Sequence, residues 1–558
     1  MPHNSPLLRA IPLLAALLVS ACVRASAQST APASVESDRL AVERPALIVL
    51  VTIDQFRADY LERFGSQLSG GLGRLVRGGA VFTDAHHDHA ITETAPGHAT
   101  LLSGRFPRST GIMLNRAGVD DPASPLLEGA EGSGASPARF VGTTLVDWLR
   151  ARDRGTRVLS VSMKDRGAIL PVGRTKADVF WYAPDGRFVT SRYYAEALPG
   201  WVNAFNDRHM PQGYAGTSWS LLRPDSAYRE RDSVTAEGGG RDIVFPHALP
   251  VDSQQAASLV RVTPFMDDIT LAFALHGLVT LGVGDDRRAN GRTDLLAVSL
   301  SATDVIGHRF GPDSREIHDQ VLRVDRALGV FLDSLYKLRD SSRVVVAFTS
   351  DHGVGTIPEL AAMMNPPPAS PAQRVSLYEL LPAVRAMLRA AKVDTAAIDV
   401  DEQIVVLNRP AFRGSKLDPD MVLESFAAAA RNVPGVLRVD RLRALSADSA
   451  RDPIARKWLH QFPQGLNIEL VVTLTPFSTW GGNVASHGSP HPYDTHVPLV
   501  LAGAGVARGV YREFVLTVDL APTLAALAGV KPSERLDGVI LRDAIASTDA
   551  KRPDAIPR

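Results

Sequence analysis

Three aspartates and three histidines in this chain have the spacing and the neighbours of metal ligands. Asp304 and His308 stand four residues apart, so one helical turn carries both side chains to the same face. Asp351 and His352 are adjacent at the end of an apolar run, where a tight turn presents both outward. Asp54 closes the first apolar run, and His487 lies in Ala485-Ser-His-Gly-Ser-Pro490, ahead of the apolar run Val497–Ala502. Imidazole mixed with carboxylate suits zinc and similar first-row ions, whereas calcium and magnesium take oxygen almost throughout. Six ligands are too many for one tetrahedral ion and suit two ions sharing a cleft. Any one pair alone reads more simply as a surface ion pair or a satisfied core histidine. The full set argues for metal.

A nucleophile is available in Thr92-Glu-Thr-Ala-Pro-Gly-His-Ala-Thr-Leu-Leu-Ser-Gly104. Pro96 suits the first turn of a helix and Gly104 its end, which puts Thr94 at the helix N-terminus. Free backbone N–H groups and the macrodipole attract phosphate there. A threonine hydroxyl is a weak nucleophile at neutral pH unless a coordinated metal ionises it. By itself Thr94 would be a plain helix cap; beside the six ligands it is a nucleophile.

The elements that must position these residues repeat one device: a short aliphatic run that stops at an ionisable residue. Ala46–Ile53 stops at Asp54, Arg157–Met163 at Lys164 and Arg343–Ser350 at Asp351, while Asp294–Ala302 leads through Thr303 to Asp304. Such runs fit strands of a parallel sheet buried on both faces, with helical stretches such as Val321–Leu338 between them. The fold class is α/β, and ligands bind beyond the carboxyl ends of the strands in such sheets.

From about Pro45 almost to the C-terminus, the chain resembles the alkaline phosphatase superfamily, in its type I phosphodiesterase/nucleotide pyrophosphatase branch and nearest the PafA-type periplasmic alkaline phosphatases. The resemblance runs through Val51-Thr-Ile-Asp-Gln-Phe-Arg-Ala-Asp-Tyr60, the Thr94 segment, Ser162-Met-Lys-Asp-Arg-Gly-Ala-Ile-Leu-Pro171 and Arg261-Val-Thr-Pro-Phe265. It continues through Ala302-Thr-Asp-Val-Ile-Gly-His308, Ser350-Asp-His-Gly353 and Tyr493-Asp-Thr-His-Val-Pro498. It implies an alkaline-phosphatase-like core, a mostly parallel sheet flanked by helices, and two Zn2+ per chain. One ion would sit on Asp304, His308 and His487, the other on Asp54, Asp351, His352 and the Thr94 oxygen. It also implies that Asn115 (in Gly111-Ile-Met-Leu-Asn115), Lys164, Arg166 and the Ala95 N–H hold the phosphoryl oxygens. The implied chemistry is two in-line displacements through a phosphothreonine, releasing inorganic phosphate.

The Lys164-Asp165-Arg166 segment follows the monoesterase pattern, which diesterase relatives generally lack. A monoester dianion carries more charge on its nonbridging oxygens than a diester, and lysine charge with directed guanidinium donors favours it. The simpler alternative is a charged surface turn with Asp165. His86, His87, His89 and His496 have no ligand role in the family and are expected to be shell or packing residues. Asp267-Asp268 and Asp285-Asp286 are expected to be solvated turns. Phe180-Trp-Tyr182, Tyr193-Tyr194 and Trp201 are expected in a cap insertion over the cleft, used for core packing rather than for stacking on an organic leaving group.

Composition narrows the class. Sixty basic residues balance sixty acidic ones and the apolar fraction is 45%, which excludes a polybasic surface dedicated to nucleic acid. Mean hydropathy near zero excludes a multispan membrane protein. Arg9 and the apolar run Ala10–Val19 read as an export signal over residues 1–27, followed by a flexible leader over 28–44. Val19-Ser-Ala-Cys22 resembles a lipobox that would leave an acylated Cys22 as a lipid anchor, whereas Ala25-Ser-Ala27 fits ordinary cleavage into the periplasm. Cys22 is the only cysteine, so the mature domain has no disulfide. The catalytic domain is expected over 45–558, with insertions near 168–290 and 357–480. Its substrates would be small phosphate monoesters; the sequence leaves the oligomeric state open, and a monomer suffices. Two other readings stand: a phosphodiesterase or nucleotide pyrophosphatase, and a noncatalytic exported protein that binds metal or phosphate.

Overall fold

The computed structural model describes residues 44–546, apart from 117, 131, 286–290, 365, 446–450 and 464. The expectations for the leader, Cys22 and Asp286 fall outside the described residues. The aliphatic runs form strands β1 (Leu47–Ile53), β3 (Val158–Ser162), β6 (Asp294–Leu300) and β7 (Val344–Thr349), joined by β2 (Ala80–His86), β4 (Asp178–Tyr182) and β5 (Phe188–Val189). After β7 come β8 (Ile398–Asp401), β9 (Ile404–Leu407), β10 (Val436–Arg441) and β11 (Ile468–Leu474), then β12 (Leu499–Gly503) and β13 (Gly509–Leu516). The central nine-stranded sheet has the order β13-β2-β12-β7-β1-β6-β3-β4-β5. It is mostly parallel; β12 runs antiparallel to both its neighbours and β5 antiparallel to β4.

Every residue of β1, β6 and β7 is buried, the condition that makes these strands continuously aliphatic rather than alternating. Successive side chains go to opposite faces. Leu47, Val49, Val51 and Ile53 meet helices α3 (Phe265–Leu281), α4 (Ala302–Phe310) and α5 (Arg315–Leu338). Ile48 and Leu50 meet α1 (Thr94–Leu101), α2 (Asp165–Ile169) and α6 (Leu520–Ala528). Helix α5 begins six residues before the expected Val321. Ser314 caps it by accepting from the Ile317 N–H, and its first turns bury polar Glu316, Asp319 and Gln320, which an apolar period cannot reveal. Among the described residues no single helix is long and apolar enough to cross a membrane.

Register delivers the site. β1 pairs in step with β6 (Ile53 opposite Leu300) and with β7 (Thr52 opposite Thr349), so the three carboxyl ends are level. Asp54, Asp304 and Asp351 therefore open onto one edge.

Two expectations are corrected here. Phe180–Tyr182 is β4 of the central sheet, not part of a cap, and Phe180 packs edge-on against Trp201 and Phe273 in the core. Asp267 is not in a solvated turn: it is 1% exposed in the first turn of α3, accepting from the Ala302 N–H at 3.2 Å and Gln320 Nε2 at 2.8 Å. The segment between β7 and β12 holds the antiparallel sheet β8-β9-β11-β10 with its own apolar cluster, and its β8–β9 turn reaches the central domain through Arg116–Asp401 at 2.7 Å.

Candidate active site

The structure brings the six metal-ligand candidates together as two groups. Asp304, His308 and His487 form one and Asp54, Asp351 and His352 the other; within each, ligand atoms lie within 4.8 Å of one another. Helix α4 supplies Asp304 and His308 from one face. The turn after β7 supplies Asp351 and His352, and Asp54 ends β1. Thr94 is the first residue of α1, 1% exposed, with Oγ1 3.4 Å from His352 Nε2 and 3.3 Å from Lys164 Nζ.

All three histidines are held in the same tautomer. His308 Nδ1 donates to the Ala485 carbonyl at 2.9 Å, His487 Nδ1 to Thr92 at 2.7 Å and His352 Nδ1 to Gly353 at 2.9 Å. A carbonyl can only accept, so each neutral ring turns an Nε2 lone pair inward. With both rings neutral, His308 Nε2 and His487 Nε2 face each other at 3.2 Å as two acceptors, which a cation between them would reconcile. Burial pushes His487 well below the ordinary imidazole range and lowers His352, which keeps both neutral. His308 is held up, against its burial, by the Asp304 carboxylate.

The carboxylates carry the opposite imbalance. Asp54 Oδ1 is buried without a hydrogen-bond donor, and Asp351 Oδ2 faces only His98 Nδ1 at 3.0 Å, which it shares with the Thr94 carbonyl. Burial first, and then Asp304 and Asp351, drive the Asp54 carboxyl well above its ordinary range. Burial also opposes ionisation of Asp304, but Lys164 and His308 outweigh it and hold the group well below 3.8. Inward lone pairs and orphaned buried oxygens are a donor set that fits divalent cations.

Lys164, at the end of β3, lies between the groups: Nζ is 2.6 Å from both Asp54 Oδ2 and Asp304 Oδ2. The charged-surface-turn alternative therefore fails for Lys164. Arg166 is partly exposed, 3.6 Å from Asp165, with its Nε buried and unpartnered. Asn115 Oδ1 accepts from the Ala95 N–H at 2.8 Å, which places the asparagine at the N-terminus of α1. Glu93, just before Thr94, accepts from the Asn115 N–H at 2.6 Å; burial pushes its carboxyl up to about 7.

Besides Glu93, sequence reasoning passed over Gln55 and His98, and it placed Asp267 in a solvated turn. Gln55, 1% exposed at φ +65°, donates its N–H to Asp351 Oδ1 at 3.1 Å and its Nε2 to Asp304 Oδ1 at 2.9 Å, so one strained residue spans both groups. His98 Nδ1 lies 3.0 Å from both Asp351 Oδ2 and the Thr94 carbonyl, and its Nε2 2.9 Å from Ser299 Oγ. Asp267 holds the first N–H of α4, the helix of Asp304 and His308. Only their proximity in sequence to Asp54 and Thr94 marked Gln55 and His98; nothing local marked Asp267. His87 packs deeper, bonding the Ser350 carbonyl and Thr517 Oγ1.

Residues 48–404 match the type I phosphodiesterase / nucleotide pyrophosphatase family model, and residues 315–530 match the sulfatase model. The chain is 31% identical over 545 residues to alkaline phosphatase PhoK of Sphingomonas sp, covering 91% of this chain and 93% of that protein. The chain belongs to the alkaline phosphatase superfamily. Within the superfamily it is PafA-like, and it is a phosphatase enzyme. Alkaline phosphatase PafA of Elizabethkingia meningoseptica is 29% identical over 514 residues, covering 88% of this chain and 93% of that protein. The crystal structure of wild-type PafA aligns with a TM-score of 0.81 and 28% identity, covering 91% of this chain and 100% of that one. Murine ectonucleotide pyrophosphatase / phosphodiesterase 5, at 15% identity and a TM-score of 0.51, shares the superfamily fold; it covers 89% of this chain and 100% of that one.

Proposed function

We propose that this phosphatase hydrolyses small phosphate monoesters with two zinc ions, through a phosphothreonine at Thr94. The observation that carries the reading is the set of three Nε2 atoms turned inward by carbonyl-bound Nδ1–H groups, together with the buried, unpartnered Asp54 Oδ1, around the Thr94 hydroxyl. Asp304, His308 and His487 would hold one ion; Asp54, Asp351, His352 and Thr94 Oγ1 would hold the other. Two such ions supply Lewis acidity toward the entering and leaving oxygens of an in-line displacement.

The chain's own groups do the rest. The Asn115 amide, Lys164 and Arg166, with the Ala95 N–H once Asn115 Oδ1 turns away from it, would orient and neutralise the three nonbridging oxygens. Thr94 Oγ1 forms a bond to phosphorus as the ester oxygen departs and takes up a proton. Water then attacks the phosphothreonine from the same side the ester oxygen left, Thr94 regains its hydroxyl, and inorganic phosphate departs. Lys164 buried at the centre favours the dianionic monoester over a diester.

The deciding experiment compares p-nitrophenyl phosphate with bis(p-nitrophenyl) phosphate at matched zinc. Monoester preference by orders of magnitude in kcat/KM is the expected result. Diester preference would favour a phosphodiesterase, the reading the family-model match over residues 48–404 supports. Absence of chelator-sensitive turnover would leave a noncatalytic binding protein. We also propose export to the periplasm, on the apolar run after Arg9; mass spectrometry of the mature N-terminus separates acylation of Cys22 from cleavage after Ala27.

A further inference from the structure

We infer a third divalent-cation site at Asp84, His86 and His496, separate from the two groups around Thr94. Asp84 and His86 are two residues apart on β2 and so share a face of the sheet. His496 lies just before β12, and a backbone bridge sets it beside His86. One ligand atom from each residue lies within 4.8 Å of the others. Among the described residues, that proximity of three such ligands recurs only in the two groups flanking Thr94.

The second nitrogens are engaged as metal-ligating imidazoles require. His496 Nε2 donates to the Thr83 carbonyl at 2.9 Å, which leaves Nδ1 as its lone pair. His86 Nδ1 lies 3.3 Å from Thr495 Oγ1, and its Nε2 faces Asp84 Oδ1 at 2.8 Å. With the Nδ1 proton given to the threonine hydroxyl, Nε2 and the carboxylate present a nitrogen and an oxygen to one ion. Ring stacking of His86 on His496 at 4.6 Å and on Phe514 at 5.3 Å restrains the imidazoles further.

Two imidazoles and one carboxylate suit a zinc-like first-row ion, and Asp84 is 46% exposed in its side chain, so water completes the coordination. The Thr495 hydroxyl lies on the His86 Nδ1 side, away from the Nε2 that would hold the ion, so the role is structural. The ion would tie the end of β2 to the segment that follows His487 and leads into β12.

The test is zinc content per chain after dialysis at fixed free zinc, measured by plasma mass spectrometry on the intact holoenzyme. The His86→Asn/His496→Asn double variant should hold one zinc fewer than wild type, with p-nitrophenyl phosphate turnover unchanged. Because the readout is a difference, it stands whichever metals the catalytic centre holds. Equal zinc content in the two proteins overturns the site, as does loss of zinc together with turnover in a folded variant. If the double variant does not fold, Asp84→Asn, which keeps both rings, is measured the same way and judged by the same two outcomes.

Discussion

Thr94 Oγ1 is bracketed by Lys164 Nζ at 3.3 Å, whose charge favours the ionised oxygen, and by the His352 Nε2 lone pair at 3.4 Å, which can accept the hydroxyl proton. Thr94→Ala should lower kcat at least about 10³-fold while leaving zinc content nearly intact, because the six nitrogen and carboxylate ligands remain. Acid-quench trapping of 32P on the protein checks the phosphothreonine: wild type labels and the variant does not. Lys164→Ala and Arg166→Ala remove charge that the proposed reading sets against the nonbridging oxygens. Each should cost about 10- to 100-fold in monoester kcat/KM and much less for a diester, narrowing the ratio between them. A parallel loss for both esters would instead assign Lys164 to holding Asp54 and Asp304 apart.

At the scale of the element, α1 must approach the Asp351 turn more closely than a side chain allows. A Cβ at Gly97 would stand 2.2 Å from the Asp351 carbonyl oxygen. Gly97→Ala should therefore push α1 outward, lower the melting temperature and reduce kcat more than it raises KM, read by calorimetry and steady-state kinetics. Helix α4 depends on Asp267, whose carboxyl is pushed up to about 7, first by burial and then by Asp268. Its folded-state value lies above the unfolded 3.8, so its stabilising contribution is complete below 3.8 and is lost as pH rises through about 7. Asp267→Asn removes that dependence. The melting temperature of the variant minus that of wild type should become more positive as pH rises across this window; a constant difference would mean that Asp267 stays ionised throughout.

For the whole molecule, Asp54, Asp304 and Asp351 converge from three strands at one sheet edge, and their mutual repulsion opposes folding unless cations are present. Chelation should lower the apparent melting temperature and abolish turnover together, and zinc should restore both. Each site filled at about 100-fold over its dissociation constant adds about 2.7 kcal/mol. A melting temperature indifferent to chelator would place the metals outside the folded core. Much of this architecture was legible in sequence: β1, β6 and β7 are continuously aliphatic because both faces are covered, and their first polar residues mark the carboxyl edge. The aromatic segment misled as to place, because Phe180, Trp181 and Tyr182 are as suited to a buried strand of the central sheet as to a cap. The Asp267 pair misled because acidic doublets usually face water.

The chain by itself determined the ligand chemistry. Asp304 and His308 share a face through helical spacing, Asp351 and His352 share a turn, and Thr94 sits at a helix start through Pro96, all properties of a few consecutive residues. The tertiary structure alone decided what joins them. Gln55 reaches Asp304 across 249 residues of sequence, Lys164 spans the carboxylate that ends β1 and the one in α4, and His487 finds its Thr92 carbonyl 395 residues away. Local spacing fixes which atoms a residue can offer; which offers meet is set by sheet order and register, and these depend on the packing of the entire core.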